Sequence, residues 1–306
     1  MEATPLGRLT VSRYLTALGV ALLFNPASPA LAFTPDLHSA YALQAAQVYQ
    51  RCTGVKLPAQ LGEALAEGTV AEDSSLLTLR QRITNWHFYN RNQALKPFWF
   101  ANRSLDVIFT RRVEALEALL AKPAADPVEV YEQAGRVLHY IQDMSVPGHV
   151  LPAYHAKLPG NHGDPFDEFE SIEALPVFAL SAAQCQELRD KAGNADATPR
   201  GFLDTAATAT LAAIEQIDAQ GKPSVDGAWK AYWVYPALDS ADAQKGWGQY
   251  GTCEFAKGSG KAGCKRDEEL VALFEQQSQQ ALKNSLLMLF YLQKRLAEPH
   301  EKTPAQ

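Results

Sequence analysis

Apolar residues recur at three- and four-residue spacing through most long segments of the chain, around Leu43 to Tyr49, Leu105 to Leu120, Val128 to Ile141, Phe202 to Ile217 and Leu270 to Leu292. That period gathers them on one face of an α-helix, and few windows show the alternation of a half-buried strand. The pattern predicts an all-α fold. One helix is marked at both ends. Asp126-Pro127-Val128-Glu129 supplies a cap, a proline at the first helical position and an acid three residues after the cap, and Pro147 predicts a stop near Met144. Leu151 to Asp167, rich in Pro, Gly, Asn and His, reads as a loop returning to a helix near Phe166 to Ala174, and a second irregular region covers about Val234 to Gly263. With no internal repeat, low-complexity tract or linker, the expectation is a single multi-helix domain over residues 33–299 and a solvated tail over 300–306.

The N-terminal pattern is different in kind. Arg8 and Arg13 precede an apolar run from Tyr14 to Phe24, and small residues then lead to Ala30-Leu31-Ala32. This is the order of an export signal over residues 1–32, whose cleavage leaves Phe33 first. The ordinary alternative is a buried N-terminal helix, which Pro26 and Pro29 oppose. No later stretch reaches the roughly 18 to 20 apolar residues of a membrane span, so the mature chain is expected to be secreted or periplasmic, with no transmembrane anchor.

Composition narrows the function. A chain of 306 residues with 47% hydrophobic content can bury a core, and a formal charge of −6 argues against gripping nucleic acid through a broad basic face. Four cysteines, Cys52, Cys185, Cys253 and Cys264, allow three pairings. Cys253 and Cys264 flank a loop holding Gly258, Gly260 and Gly263, which favours their local bridge and leaves Cys52 with Cys185. A thiolate zinc site is the rival, but no C-x-x-C occurs.

Of seven histidines, His139, His149, His155 and His162 fall within one short stretch. His139 and Asp143 stand four apart in the capped helix and so share a face, close enough to hold one cation. Such a pair is often a surface histidine beside a solvated carboxylate. The apolar setting Leu138-His139-Tyr140-Ile141 instead predicts a buried face, where a carboxylate needs a partner or a metal.

His139-Tyr140-Ile141-Gln142-Asp143-Met144-Ser145-Val146-Pro147-Gly148-His149 resembles the signature of bacterial zinc-dependent phospholipases C, H-Y-x-x-D-x-x-x-P-x-H. The small residue and Asn that follow in that motif are Val150 and Pro152 here. Upstream, the family has an Asp fourteen residues before an H-F-Y-D element. Asp73 and His87-Phe88-Tyr89-Asn90 match that spacing, with Asn in place of the last Asp. Taken alone, Asp73 could cap a helix starting at Ser74 and His87 could be a core aromatic. The family also holds a metal through its mature N-terminal residue and a nearby His. Phe33 and His38 correspond, at a spacing more similar to the related fungal single-strand-specific zinc nucleases.

The resemblance implies three zinc ions: one on Asp73, His87, His139 and Asp143, a second on Phe33, His38 and Asp143, and a third on His149, His162 and Asp167. His155 rivals His162, and Glu168 or Glu170 could replace Asp167, because the family's His and Glu stand four apart and this chain's His162 and Asp167 five. Asp73 also carries the catalytic assignment. Asp36 takes the position of an acid near the lipid headgroup, or else caps the helix ahead of Leu37. The implied activity is phospholipase C hydrolysis of phosphatidylcholine or similar lipids at a membrane surface, with no stable nucleic-acid partner. The alternatives are a secreted single-strand nuclease or nucleotidase on the same scaffold, and an inactive zinc-bound binding protein. A metalloprotease is disfavoured because H-E-x-x-H is absent.

Overall fold

The computed structural model describes residues 35–74, 87–89, 102, 104–151, 166, 178–214, 216–217, 223–224, 229, 231–234, 249–250, 253, 264 and 267–298. The expected signal segment, Phe33, Asn90, His155, His162, Asp167, Glu168, Glu170 and the tail lie outside these residues.

The described architecture is mostly helical: α1 (Pro35–Thr53), α2 (Ala59–Ser74), α3 (Asp106–Leu120), α4 (Pro127–Asp143), α5 (Pro147–Val150), α6 (Ala182–Gly193), α7 (Pro199–Ile214) and α8 (Asp267–Ala297). Two short antiparallel pairs join them, β1 (Gln216–Ile217) with β2 (Pro223–Ser224) and β3 (Trp233–Val234) with β4 (Gln249–Tyr250). The periodic segments became α1, α3, α4, α7 and α8. Helix α7 stops at Ile214, short of the expected Ile217, because Gln216 and Ile217 pair instead with Ser224 and Pro223. The start of α4 is as expected: Asp126 has extended backbone and its Oδ1 accepts from the Val128 N–H at 3.0 Å.

Helix α4 is central, packing against α1, α2, α3, α7 and α8, and every residue from Val137 to Asp143 is buried. It meets α2 at two glycines. A Cβ on Gly68 would stand 2.0 Å from the Glu132 carbonyl oxygen, and one on Gly135 2.1 Å from the Leu65 oxygen. The two backbones therefore touch, and only residues without a side chain permit it. This crossing brings the last turn of α2 against the last two turns of α4.

Helix α8, 31 residues long, backs α1, α4, α6 and α7. Its buried face is apolar through Phe274, Ala281, Leu282, Leu286 and Leu289, but includes Gln277, Ser278 and Ser285. Each is partnered: Gln277 Oε1 accepts from Thr210 at 2.8 Å, Ser278 Oγ from the Tyr41 hydroxyl at 3.0 Å, and Ser285 Oγ donates to the Ala281 carbonyl at 2.7 Å. Both expected disulfides are formed, Cys52–Cys185 joining the end of α1 to α6, and Cys253–Cys264. No helix of the described residues is long and apolar enough to cross a membrane.

Candidate metal centre

Four helices and one short segment deliver the donors. Helix α1 supplies His38, the last turn of α2 supplies Asp73, and α4 supplies His139 and Asp143 one turn apart on one face. Asp73 is thus a residue of the C-terminal turn of α2, not a cap ahead of Ser74. Past Asp143 the chain turns tightly, Ser145 N–H bonding to the Gln142 carbonyl at 2.8 Å and Val146 N–H to that of Asp143 at 2.9 Å. Pro147 then opens α5, which carries His149 back toward the cluster. His87 is pinned beside it, because the Tyr89 N–H donates to the His149 carbonyl at 2.8 Å and His149 Nδ1 bonds to the His87 carbonyl.

The spacings between imidazoles and carboxylates are the informative quantity. Asp143 Oδ2 lies 3.3 Å from His139 Nε2 and 3.8 Å from His87 Nδ1, while Asp73 Oδ1 lies 3.7 and 3.8 Å from the same nitrogens. The other Asp143 oxygen, Oδ1, faces His38 Nε2 at 3.4 Å. Direct charge-assisted hydrogen bonds would close to about 2.7–2.9 Å. Donors held about 2.0–2.1 Å from a common tetrahedral ion stand about 3.3 Å apart. His139 Nε2 and both Asp143 oxygens are buried and make no hydrogen bond. Polar atoms so placed demand a partner, and a cation between them is one that nitrogen and oxygen donors both accept. Buried His and Asp groups of this centre could therefore hold a metal ion; the compact sets are His38, Asp73, His139 and His87, His139, Asp143.

Asp143 turns Oδ2 to His139 and His87 and Oδ1 to His38, while His38 also shares a compact set with Asp73 and His139. His149 is more distant, its Nδ1 4.0 Å from Asp143 Oδ2. The remaining proposed ligands, Phe33, His162 and Asp167, and the rivals His155, Glu168 and Glu170 are outside the described residues. Asp36 is exposed in the first turn of α1, where the helix dipole favours an acid.

Protonation follows from burial. Burial, with His38 and His87 nearby, holds His139 well below the ordinary imidazole range, so this ring is in the neutral form that ligates metals. Burial also lowers His38, but the Asp143 carboxylate facing it outweighs this and leaves it raised. Burial pushes Asp143 up, against the pull of His38. A dication between these groups would reverse the sense at Asp143. The far nitrogen of His139 is fixed as well, Nδ1 lying 2.9 Å from the Thr69 carbonyl of α2.

One residue before Asp73, Glu72 builds a second buried centre of another kind. Its Oε1 meets Arg112 and Arg136, both at 2.9 Å, and its Oε2 accepts from Arg112 at 3.0 Å and from the Tyr140 hydroxyl at 2.6 Å. Sequence reasoning singled out none of Glu72, Arg112, Arg136, Thr69 or Gln142. The adjacent acids Glu72-Asp73 at the close of an otherwise small-residue segment were the available signal. Comparison with protein-family models, curated proteins and solved structures found no match to this chain, so the likeness to phospholipases C rests on the motif residues that converge in this centre.

Proposed function

We propose that the chain is an exported, zinc-dependent phosphodiester hydrolase of the phospholipase C type, acting on phosphatidylcholine or similar lipids. The observation that carries this reading is the convergence of His38, Asp73, His87, His139 and Asp143 at spacings wider than hydrogen bonds, in the order and positions of the motif. Bound zinc ions would supply Lewis acidity and water activation near neutral pH. The protein's part is to hold them. Asp143 presents one oxygen to each side and can serve two ions, with Asp73, His87 and His139 completing one set and His38 belonging to the other. Phe33 would join His38, and His149, His162 and Asp167 would form the third set.

A surface groove gives the lipid preference some support. A groove between α1 and α2 is lined by Ser39 and Ser74, the chain neighbours of His38 and Asp73, and by Leu43, Ala66, Val70 and Ala71, with Glu63 and Glu67 the acids among its lining residues. Apolar walls suit an acyl chain, and two carboxylates repel a polyanion. Two disulfides suit the oxidising compartment that export provides.

The test is metal analysis of the purified mature chain together with hydrolysis of phosphatidylcholine and single-stranded DNA in parallel. Three zinc ions, phosphocholine release and intact DNA are the expected result. DNA cleavage without lipid turnover would transfer the activity to the nuclease reading, and zinc without turnover of either would leave a binding protein.

A further inference from the structure

His38 lies on α1, and its far ring nitrogen is held by Gln142, 104 residues along the chain, a residue that the motif leaves unspecified. Gln142 is fully buried beside Asp143. Its Oε1 lies 2.6 Å from His38 Nδ1, and its Nε2 donates to Ser285 Oγ at 2.9 Å. The direction of this chain of bonds is fixed from its other end. Ser285 spends its single hydroxyl hydrogen on the Ala281 carbonyl of α8 at 2.7 Å, so toward Gln142 it can only accept. The amide must then turn its NH2 to Ser285 and its carbonyl to His38. A carbonyl so close to an imidazole nitrogen accepts a hydrogen, which places the proton of a neutral His38 on Nδ1 and the lone pair on Nε2. That nitrogen is the one facing Asp143 Oδ1 at 3.4 Å.

We infer that Gln142, oriented by Ser285, is the positioning residue that makes His38 a metal ligand through Nε2. The inference rests on the metal-centre reading above and assigns a role to residues that it leaves out. It also explains a polar serine on the buried face of α8: the hydroxyl transmits the fixed polarity of a helix backbone carbonyl, through one side-chain amide, to a ligand on another helix. With an apolar residue at 142, neither tautomer is selected and a buried Nδ1–H has no acceptor, so the ring must reorient or change tautomer.

The experiment measures zinc binding to the mature chain by competition with a chromophoric chelator, alongside the His38 tautomer by nitrogen-15 NMR of the zinc-loaded protein. In the wild type His38 should carry its proton on Nδ1. Gln142→Leu should weaken the His38-dependent zinc by about 10- to 100-fold. Gln142→Glu keeps an acceptor facing Nδ1 and should restore affinity to within a few-fold. Ser285→Ala should give an intermediate loss, because the amide is then free to invert. Tyr41→Phe, which removes an equally buried bond from α1 to α8 at Ser278, controls for general loosening and should leave zinc affinity unchanged. Should Gln142→Leu fail to fold, Gln142→Glu, Ser285→Ala and the tautomer decide. Unchanged affinity in Gln142→Leu or Ser285→Ala, or a proton on Nε2, would overturn the role of Gln142 while leaving the metal centre standing. A wild-type chain that takes up no zinc would overturn the metal centre itself.

Discussion

Glu72 and Asp73 are consecutive residues of α2, both buried and both facing groups from α4, yet their surroundings differ in one respect. Glu72 meets two guanidinium groups and a phenol at 2.6–3.0 Å. Between the Asp73 and Asp143 carboxylates and the imidazoles of His38, His87, His139 and His149, the ion-pair distances are 3.3–4.0 Å. Burial and backbone are shared, so neither explains the difference. A carboxylate whose counter-ions are part of the chain draws them to hydrogen-bond distance. Donors arranged for an ion that is not part of the chain are kept apart at the distance that ion sets. The two centres thus set a carboxylate with counter-ions from the chain itself beside carboxylates spaced as a metal ion would require.

The difference breaks most sharply at Asp143. Asp143→Asn should cost at least ~1,000-fold in phosphodiester turnover, beyond the 10- to 100-fold typical of residues behind the ligands. It should also remove zinc-dependent stabilisation, which for the wild type is about 2.7 kcal/mol at a hundredfold excess over Kd. Zinc content, turnover and melting with and without chelator measure this. Near-normal turnover in a folded variant would remove Asp143 from the metal centre.

Glu72→Ala tests the other side. Leaving Arg112 and Arg136 without their buried carboxylate should destabilise the fold by about 3 kcal/mol in denaturant titration, equally with and without zinc. A loss confined to the zinc-loaded form would mean that the two centres are not separate. Gly135→Ala should damage both at once, because a Cβ there collides with the Leu65 carbonyl and forces α2 and α4 apart. An overpacking cost of about 1–3 kcal/mol, with weakened zinc binding, is expected. The smallest effect belongs to Asp126→Ala, which removes the cap of α4 far from either centre. It should cost about 1 kcal/mol and leave zinc affinity unaltered, a baseline for the other three.

What could be read in the chain depended on whether a residue's role is local. The helix carrying His139 and Asp143 was legible because its cap, its period and its proline stop all act within a few residues, and Asp126 behaves as its sequence position implies. Helix α2 was not, because its small residues Gly62, Ala64, Ala66 and Gly68 give little periodic contrast and acquire meaning only against Gly135. Asp73 was found through its spacing to His87, although its local context suggested a cap. Glu72, Gln142 and Ser285 have partners 40 to 143 positions away, and no local pattern announces them. The cysteines yielded to elimination, the short glycine-rich sequence between Cys253 and Cys264 favouring their bridge and leaving one pairing for the rest.

The long-range disulfide places the centre within a topological enclosure. Cys52–Cys185 closes a loop spanning a sequence separation of 133, and Asp73, His87, His139, Asp143 and His149 all fall inside it, while His38 stands on the same helix as Cys52 just outside. In the chain-entropy account, a loop of that length stabilises the fold by about 5 kcal/mol. Thiol chemistry and metal retention are then coupled quantities: cutting one sulfur bond enlarges the unfolded ensemble of every enclosed donor at once, so the reduced chain should release its ions at a lower denaturant concentration than the oxidised one. The compartment's redox potential, and not only its zinc supply, would set how much of the protein is loaded.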